Sequence, residues 1–247
     1  MNLNNVKILY RKFLHTFLTP KFLWNMVIKN YDLNRNVKSS IPQKIFFKIF
    51  WFWPTLWHVS SWHNQDDCSD LGYSNYINMD KDVQCLMDEV VRCTKDRAAR
   101  IFDIGCNVGR CLNYLQNKGY TNLYGVDVGE FAIKAIPNTF PHLKDSAHIE
   151  LKTTQEFLLG TEDRFFSTTY TMGATVELMP SSFPLIKEIT RVTSEYVCFM
   201  ISYSGHSFPR FWEYEFQKYS FILVKKYMYS LDNDTKGDQV LLLFKRQ

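Results

Sequence analysis

Four residues pose the first chemical question in this chain: Asp103, Gly105, Gly109 and Asp127. The first three lie in IFDIGCNVGR, residues 101–110, where a short apolar run ends in an aspartate and two glycines bracket three residues. Glycine at such a turn leaves no Cβ between a ligand and the main chain. The spacing is G-x-x-x-G, and position 107, where a dinucleotide fingerprint carries its second glycine, is Asn. That argues against a pyrophosphate seated on the following helix. Asp127 closes the next apolar run, YGVD, 24 residues after Asp103 and 18 after Gly109. A carboxylate at a strand end can accept hydrogen bonds from both hydroxyls of a ribose. A bare turn plus a ribose-binding acid, without a phosphate cradle, implies a nucleoside ligand that lacks a pyrophosphate.

The segments around these residues alternate in period. ARIFDI, NLYGVD, HIELKT, RFFSTTYTMG and EYVCFMISYS have the apolar, β-branched and aromatic character of strands. Between them VGRCLNYLQNKG, GEFAIKAI, TQEFLLG and SFPLIKEITRVT read as helices, the first ending at Gly119 and the second giving way to a loop with two prolines. A further helix is predicted from Asp80 to Cys93, with Val83, Leu86, Met87, Val90 and Val91 on one face. The last two strand-like runs, YSFILVKKYMYS and QVLLLFKRQ, are joined by LDNDTKGD, a hairpin connector. The predicted fold is α/β: a doubly wound, mostly parallel seven-stranded sheet with a C-terminal antiparallel hairpin. A mainly helical N-terminal extension precedes it. In such sheets the ligand sits beyond the carboxyl ends of the strands.

Composition divides the chain in two. Residues 1–50 hold nine Lys or Arg against one acid, Asp32, a net +8; the whole chain carries +4, so the remaining 197 residues sum to −4. We divide the chain into a basic, aromatic-rich helical extension over residues 1–60 and an α/β domain over 61–247. Its 46% hydrophobic and 22% charged residues are those of a globular protein. The six cysteines show no CxxC pair and no zinc-like spacing, so no metal is expected and a reducing, cytoplasmic setting is the simpler reading. No secretory signal is expected, because basic residues recur through the N-terminal apolar stretches. The most apolar window, Ile45 to Val59, contains Lys48 and Pro54 and is too short to span a bilayer.

FDIGCNVGR followed by YGVDVG, with the terminal hairpin, resembles class I S-adenosylmethionine-dependent methyltransferases over roughly residues 80–247. The resemblance implies S-adenosylmethionine as cofactor, its methionine part on the backbone at Gly105 with Asp103 near the amino group through water. Asp127 would hold the ribose, and KTTQEF would place Thr154 or Gln155 at the adenine. Cys106, Gly109, Val128 and Thr171 would complete the cofactor-binding set. TMGATVELMP resembles the segment after the fourth strand that borders the reacting methyl in the family, with Leu178 standing where a His is common.

Methyl transfer to oxygen or nitrogen needs a base for the acceptor's proton. His206, after the fifth strand, and Glu177 are the candidates. Arg210 and Trp212, in the same aromatic loop, are candidates for holding the acceptor, which would be small or carbohydrate-like, a lipid-linked glycan among the options. Tyr73 and Tyr76, with Trp62 and His63, are candidates for a lid over the cofactor. Residues 1–57 combine lysines with tryptophan and phenylalanine, the composition of a segment that lies among lipid headgroups, here at the inner face of a membrane. Nucleic acid is a weaker match, since the catalytic part is net acidic. The competing functional reading is a non-catalytic binding or scaffold protein that retains the fold.

Overall fold

The computed structural model describes residues 72–179, 183–202, 212–229 and 239–247. Residues 1–71, and with them Trp62 and His63, lie outside this set, as do His206 and Arg210. Among the described residues seven strands are present: β1 (Arg100–Ile104), β2 (Asn122–Asp127), β3 (Ala147–Leu151), β4 (Phe166–Met172), β5 (Thr193–Ser202), β6 (Phe221–Tyr229) and β7 (Gln239–Arg246). They form one sheet in the order β3-β2-β1-β4-β5-β7-β6, parallel except for β7, which runs antiparallel to both β5 and β6. The predicted sheet with its C-terminal hairpin is therefore the observed one, while the predicted helical N-terminal extension lies outside the described residues.

Helices α1 (Lys81–Cys93), α2 (Arg110–Asn117), α3 (Glu130–Thr139), α4 (Thr154–Gly160), α5 (Ala174–Leu178), α6 (Leu185–Val192) and α7 (Trp212–Gln217) cover the two faces. The last four residues of β1 are buried, as a central parallel strand requires. Its side chains alternate between two cores. Ile101 packs with Val83, Leu86 and Leu112 of α1 and α2, whereas Phe102 and Ile104 pack with Phe157 and Ile189 of α4 and α6. Phe102 stacks on both Phe157 and Phe166 with ring centroids 4.7 Å apart. Asp103 shares the parity of Ile101 and so faces α1.

Three helices depart from the sequence reading: α5 and α7 form where no helix is predicted, and α3 runs longer than expected. α3 continues through Pro137 to Thr139, where a loop is predicted. Proline so close to a C-terminus removes a single ladder bond, and the final turn still closes through Phe140 N to Ile136 O at 2.8 Å. No helix among the described residues is long and apolar enough to cross a membrane. The strand order reverses between β1 and β4, which opens a crevice at their carboxyl ends.

Candidate functional site

The turn from β1 into α2 uses three left-handed residues in alternation: Gly105 at φ 75°, Asn107 at φ 47° and Gly109 at φ 83°. Asparagine is among the few residues that enter this region at modest cost. Here its Oδ1 accepts from the amide of Val108 at 2.7 Å. Asn107 therefore does conformational work that a glycine fingerprint would assign to glycine. Gly105 has a further reason to lack a side chain. A Cβ there would lie 2.2 Å from Thr175 Oγ1, which folds over the turn from α5.

Asp127, at the end of β2, is fixed by two main-chain donors. Its Oδ2 accepts from Asn107 N at 2.8 Å and its Oδ1 from Gly129 N at 2.7 Å. The glycine turn and the acid are thus one hydrogen-bonded unit, although about 20 residues separate them in the chain.

Between these groups lies a cavity of about 370 Å³, bordered by the ends of β1, β2, β4 and β5. That volume is within the range of small-molecule sites. Asp103 lines it and is only 3% exposed. Burial pushes its carboxyl up to about 7, against a lowering hydrogen bond that Tyr170 Oη donates to Oδ2 at 3.0 Å. The negative charge of Asp127 adds to the rise, and Arg110 opposes it. Burial also pushes the thiols of Cys106 and Cys111 up, which keeps both neutral beside the cavity.

Arg110 opens α2 and is the lone cation in the lining among the described residues; Asp82, Asp103, Asp127 and Glu177 are its acids. Its Nη1 donates to Asn78 O at 2.6 Å, and its guanidinium lies 5.7 Å from the ring centroid of Tyr76. This contact pins the segment before α1 against the site, so Tyr76 forms part of the wall. On the opposite side, a capping box starts α4. Thr153 Oγ1 accepts from Glu156 N at 3.2 Å, and Glu156 Oε2 accepts from Thr153 N at 3.2 Å. The box presents Thr153, Thr154 and Gln155 to the cavity.

Of the residues singled out from sequence, Tyr76, Asp103, Gly105, Cys106, Asp127, Val128, Thr154, Gln155 and Glu177 line this one cavity. Three others have different duties. Gly109 packs α2 onto Leu143, whose Cδ2 would stand 2.8 Å from an added Cβ. Thr171 is buried and donates from Oγ1 to Ile104 O at 2.8 Å, joining β4 to β1. Trp212 is 3% exposed and meets Phe199 edge-on with centroids 5.5 Å apart. Its ring packs into the core beside Phe199. The cavity also recruits residues the sequence did not single out: Asp82, Arg110, Thr153, Met172, Thr175, Met179, Met200 and Gln239. Arg110 stood directly after the glycine turn and was open to notice; nothing local marked Gln239.

No protein-family model and no curated protein matches the chain. Solved structures do resemble it in three dimensions. The magnesium protoporphyrin IX methyltransferase of Synechocystis, a structure with bound S-adenosylmethionine, is 13% identical with a TM-score of 0.56 and covers 86% of this chain and 100% of its own. An S-adenosylmethionine-dependent methyltransferase from Mesorhizobium loti is 11% identical with a TM-score of 0.55, over 67% of this chain and 97% of its own. SpnF, a cyclase, is 14% identical with a TM-score of 0.53, over 66% of this chain and 80% of its own. With the strand order, the terminal hairpin and the site at the β1/β4 crevice, these likenesses identify the fold as that of the class I S-adenosylmethionine-dependent methyltransferases.

Proposed function

We propose that the protein is an S-adenosylmethionine-dependent methyltransferase acting on oxygen or nitrogen of a small or carbohydrate-like acceptor. The observation that carries the reading is the charge pattern of the cavity: Asp127 locked beside the Gly105 turn, Asp103 buried next to it, and one cation, Arg110, at the same end. This donor set fits the proposed cofactor. Asp127 would take the ribose hydroxyls, Asp103 the ammonium, Arg110 the carboxylate, and the Thr154–Gln155 end of α4 the adenine. When bound, the cofactor would supply a methyl group on a sulfonium, which an acceptor's lone pair could take in line as the S–CH3 bond breaks and the neutral thioether leaves.

The chain's own contribution is alignment, exclusion of water and proton removal. Glu177 is buried and lines the cavity, with Oε1 3.6 Å from the Cβ position of Gly173 at the end of β4. That placement supports a role as base for the acceptor's proton. Glu177→Gln is expected to slow transfer about 100-fold, within the usual span of general-base effects, with cofactor affinity retained. His206 remains the other proposed base, and Arg210 the proposed acceptor clamp.

Calorimetric titration of S-adenosylmethionine and of NAD into wild type and Asp127→Ala tests the cofactor. Micromolar S-adenosylmethionine binding that falls at least about 10-fold in the variant supports the reading, since each lost charge-assisted hydrogen bond is worth about 1.5–3 kcal/mol. Preference for NAD, or no binding, overturns it. The second reading, a binding protein that does not transfer methyl groups, is favoured by the cyclase that shares this fold. Cofactor binding without turnover, in an acceptor screen over amines, alcohols and sugars, would select it.

A further inference from the structure

Gln239 opens β7 and lines the same cavity as Gly105 and Asp127. Its Oε1 is shielded from solvent and has no hydrogen-bond partner among the described residues. A buried carbonyl oxygen left unpaired costs about 1–3 kcal/mol. The fold retains this one in the lining of the cavity that holds Asp103 and Asp127, which asks what ligand group satisfies it.

The sheet register locates the answer. Across β1, β4, β5 and β7, Asp103, Tyr170, Cys198 and Leu243 are lateral partners. Two residues higher, Met172, Met200 and Leu241 form the next row on the same face. Gln239 stands two residues beyond Leu241, opposite Ser202, so the face rises from the Asp103 carboxyl through two thioethers to the orphaned amide. Met179 and Glu177 border the same space from the segment after β4. The cofactor groups assigned above belong to Asp103, Arg110, Asp127 and α4, at the other end. The methionine–Gln239 end is therefore left for the second substrate.

We infer that Gln239 is an acceptor-binding residue and that the acceptor is a small amine or alcohol with an apolar body, not a carboxylate or phosphate. This inference rests on the methyltransferase reading. An amide oxygen can only accept a hydrogen bond, so it selects a group that bears N–H or O–H. Methionine side chains supply an adaptable apolar floor for the rest of the molecule. An anion placed between Gln239 Oε1 and the acids Glu177 and Asp82 would meet acceptors and like charge, with Arg110 already committed at the cofactor end. The acids beside Gln239 thus disfavour acidic acceptors by like-charge repulsion.

The test uses the full chain saturated with S-adenosylhomocysteine and labelled with nitrogen-15, reading the Gln239 side-chain amide by NMR. Benzylamine and benzyl alcohol are expected to shift it saturably at millimolar concentration, whereas benzoate leaves it in place. Gln239→Leu should weaken benzylamine binding about 10-fold, the loss of one good hydrogen bond, and leave S-adenosylhomocysteine affinity within about twofold. Gln239→Glu, nearly isosteric, should favour benzylamine over benzyl alcohol and guards against misfolding of the leucine variant. Binding of benzoate as tight as that of benzylamine overturns the inference. So does an unshifted amide with all three probes, or unchanged benzylamine affinity in both variants. Failure of the wild type to bind S-adenosylhomocysteine is a separate outcome, which removes the methyltransferase reading and this inference together.

Discussion

The phenol of Tyr170 donates a 3.0 Å hydrogen bond to Asp103, two residues 67 positions apart that are lateral partners on β4 and β1. The contact holds a cavity-lining carboxyl that burial pushes up to about 7. Two consequences follow from that value of about 7, against 3.8 for an ordinary aspartate.

Cofactor affinity should rise with pH from 6 to 8, because an ammonium group needs the ionised Asp103. Calorimetry in buffers of different ionisation enthalpy should show proton release on binding at pH 6.5. Asp103→Asn should bind more weakly and lose that pH dependence. Tyr170→Phe removes the group that favours the carboxylate, so it should shift the affinity profile to higher pH. The ligand-free protein should behave in the opposite sense. A carboxyl whose folded value is raised contributes stability that is full below about 4 and fades as pH climbs through about 7. The decline in Tm between pH 5 and 8 should therefore be shallower in Asp103→Asn; equal slopes would contradict the assignment.

Gly105→Ala should destabilise the protein by about 1–3 kcal/mol through left-handed backbone strain. The clash at 2.2 Å with Thr175 Oγ1 adds to that strain. Thr175→Ala removes the hydroxyl but not the strain, so the double variant should recover only part of the loss. Urea unfolding of the four-member cycle measures the coupling. Strict additivity would show that Thr175 does not rest on the turn.

Trp212→Ala should cost about 3–5 kcal/mol, as expected for deleting a large aromatic from a packed core. Its ring contacts Phe199 in the apolar cluster that includes α6 and α7. Cofactor binding measured well below the melting temperature should be unchanged. A change in acceptor KM without loss of stability would instead return Trp212 to the site.

The basic N-terminal segment is proposed to contact acidic lipid. Full-length protein should co-sediment with vesicles containing phosphatidylserine, and less so as salt rises. Replacing Lys7, Arg11, Lys12, Lys44 and Lys48 with Gln should weaken binding by about 1 kcal/mol for each charge that lies at the surface. Equal sedimentation of the two proteins would end the membrane proposal.

Much of the fold was legible because its signals are local. Buried parallel strands such as Arg100–Ile104 announce themselves as short apolar runs, and the chain must turn sharply at Gly105 and Gly109 whatever surrounds them. Asp127 could be read at a fixed distance from that turn because the βα unit has a nearly fixed length. The continuation of α3 through Pro137 was not legible, since a proline near a helix end costs little and the closing bond at Ile136 decides the matter.

The sequence by itself thus determined the order of the strands, the glycine turn and the acid that faces it. Tertiary structure alone decided which remote side chains share the crevice. Asp82, Met200 and Gln239 come from α1, β5 and β7 and meet only because the sheet places those elements side by side. It also decided protonation and burial. The Asp103 carboxyl is pushed up to about 7 because the fold buries it, and Trp212 is core because it packs against Phe199. Periodicity and spacing report what one segment prefers. Desolvation and long-range pairing depend on what the other segments bring to it.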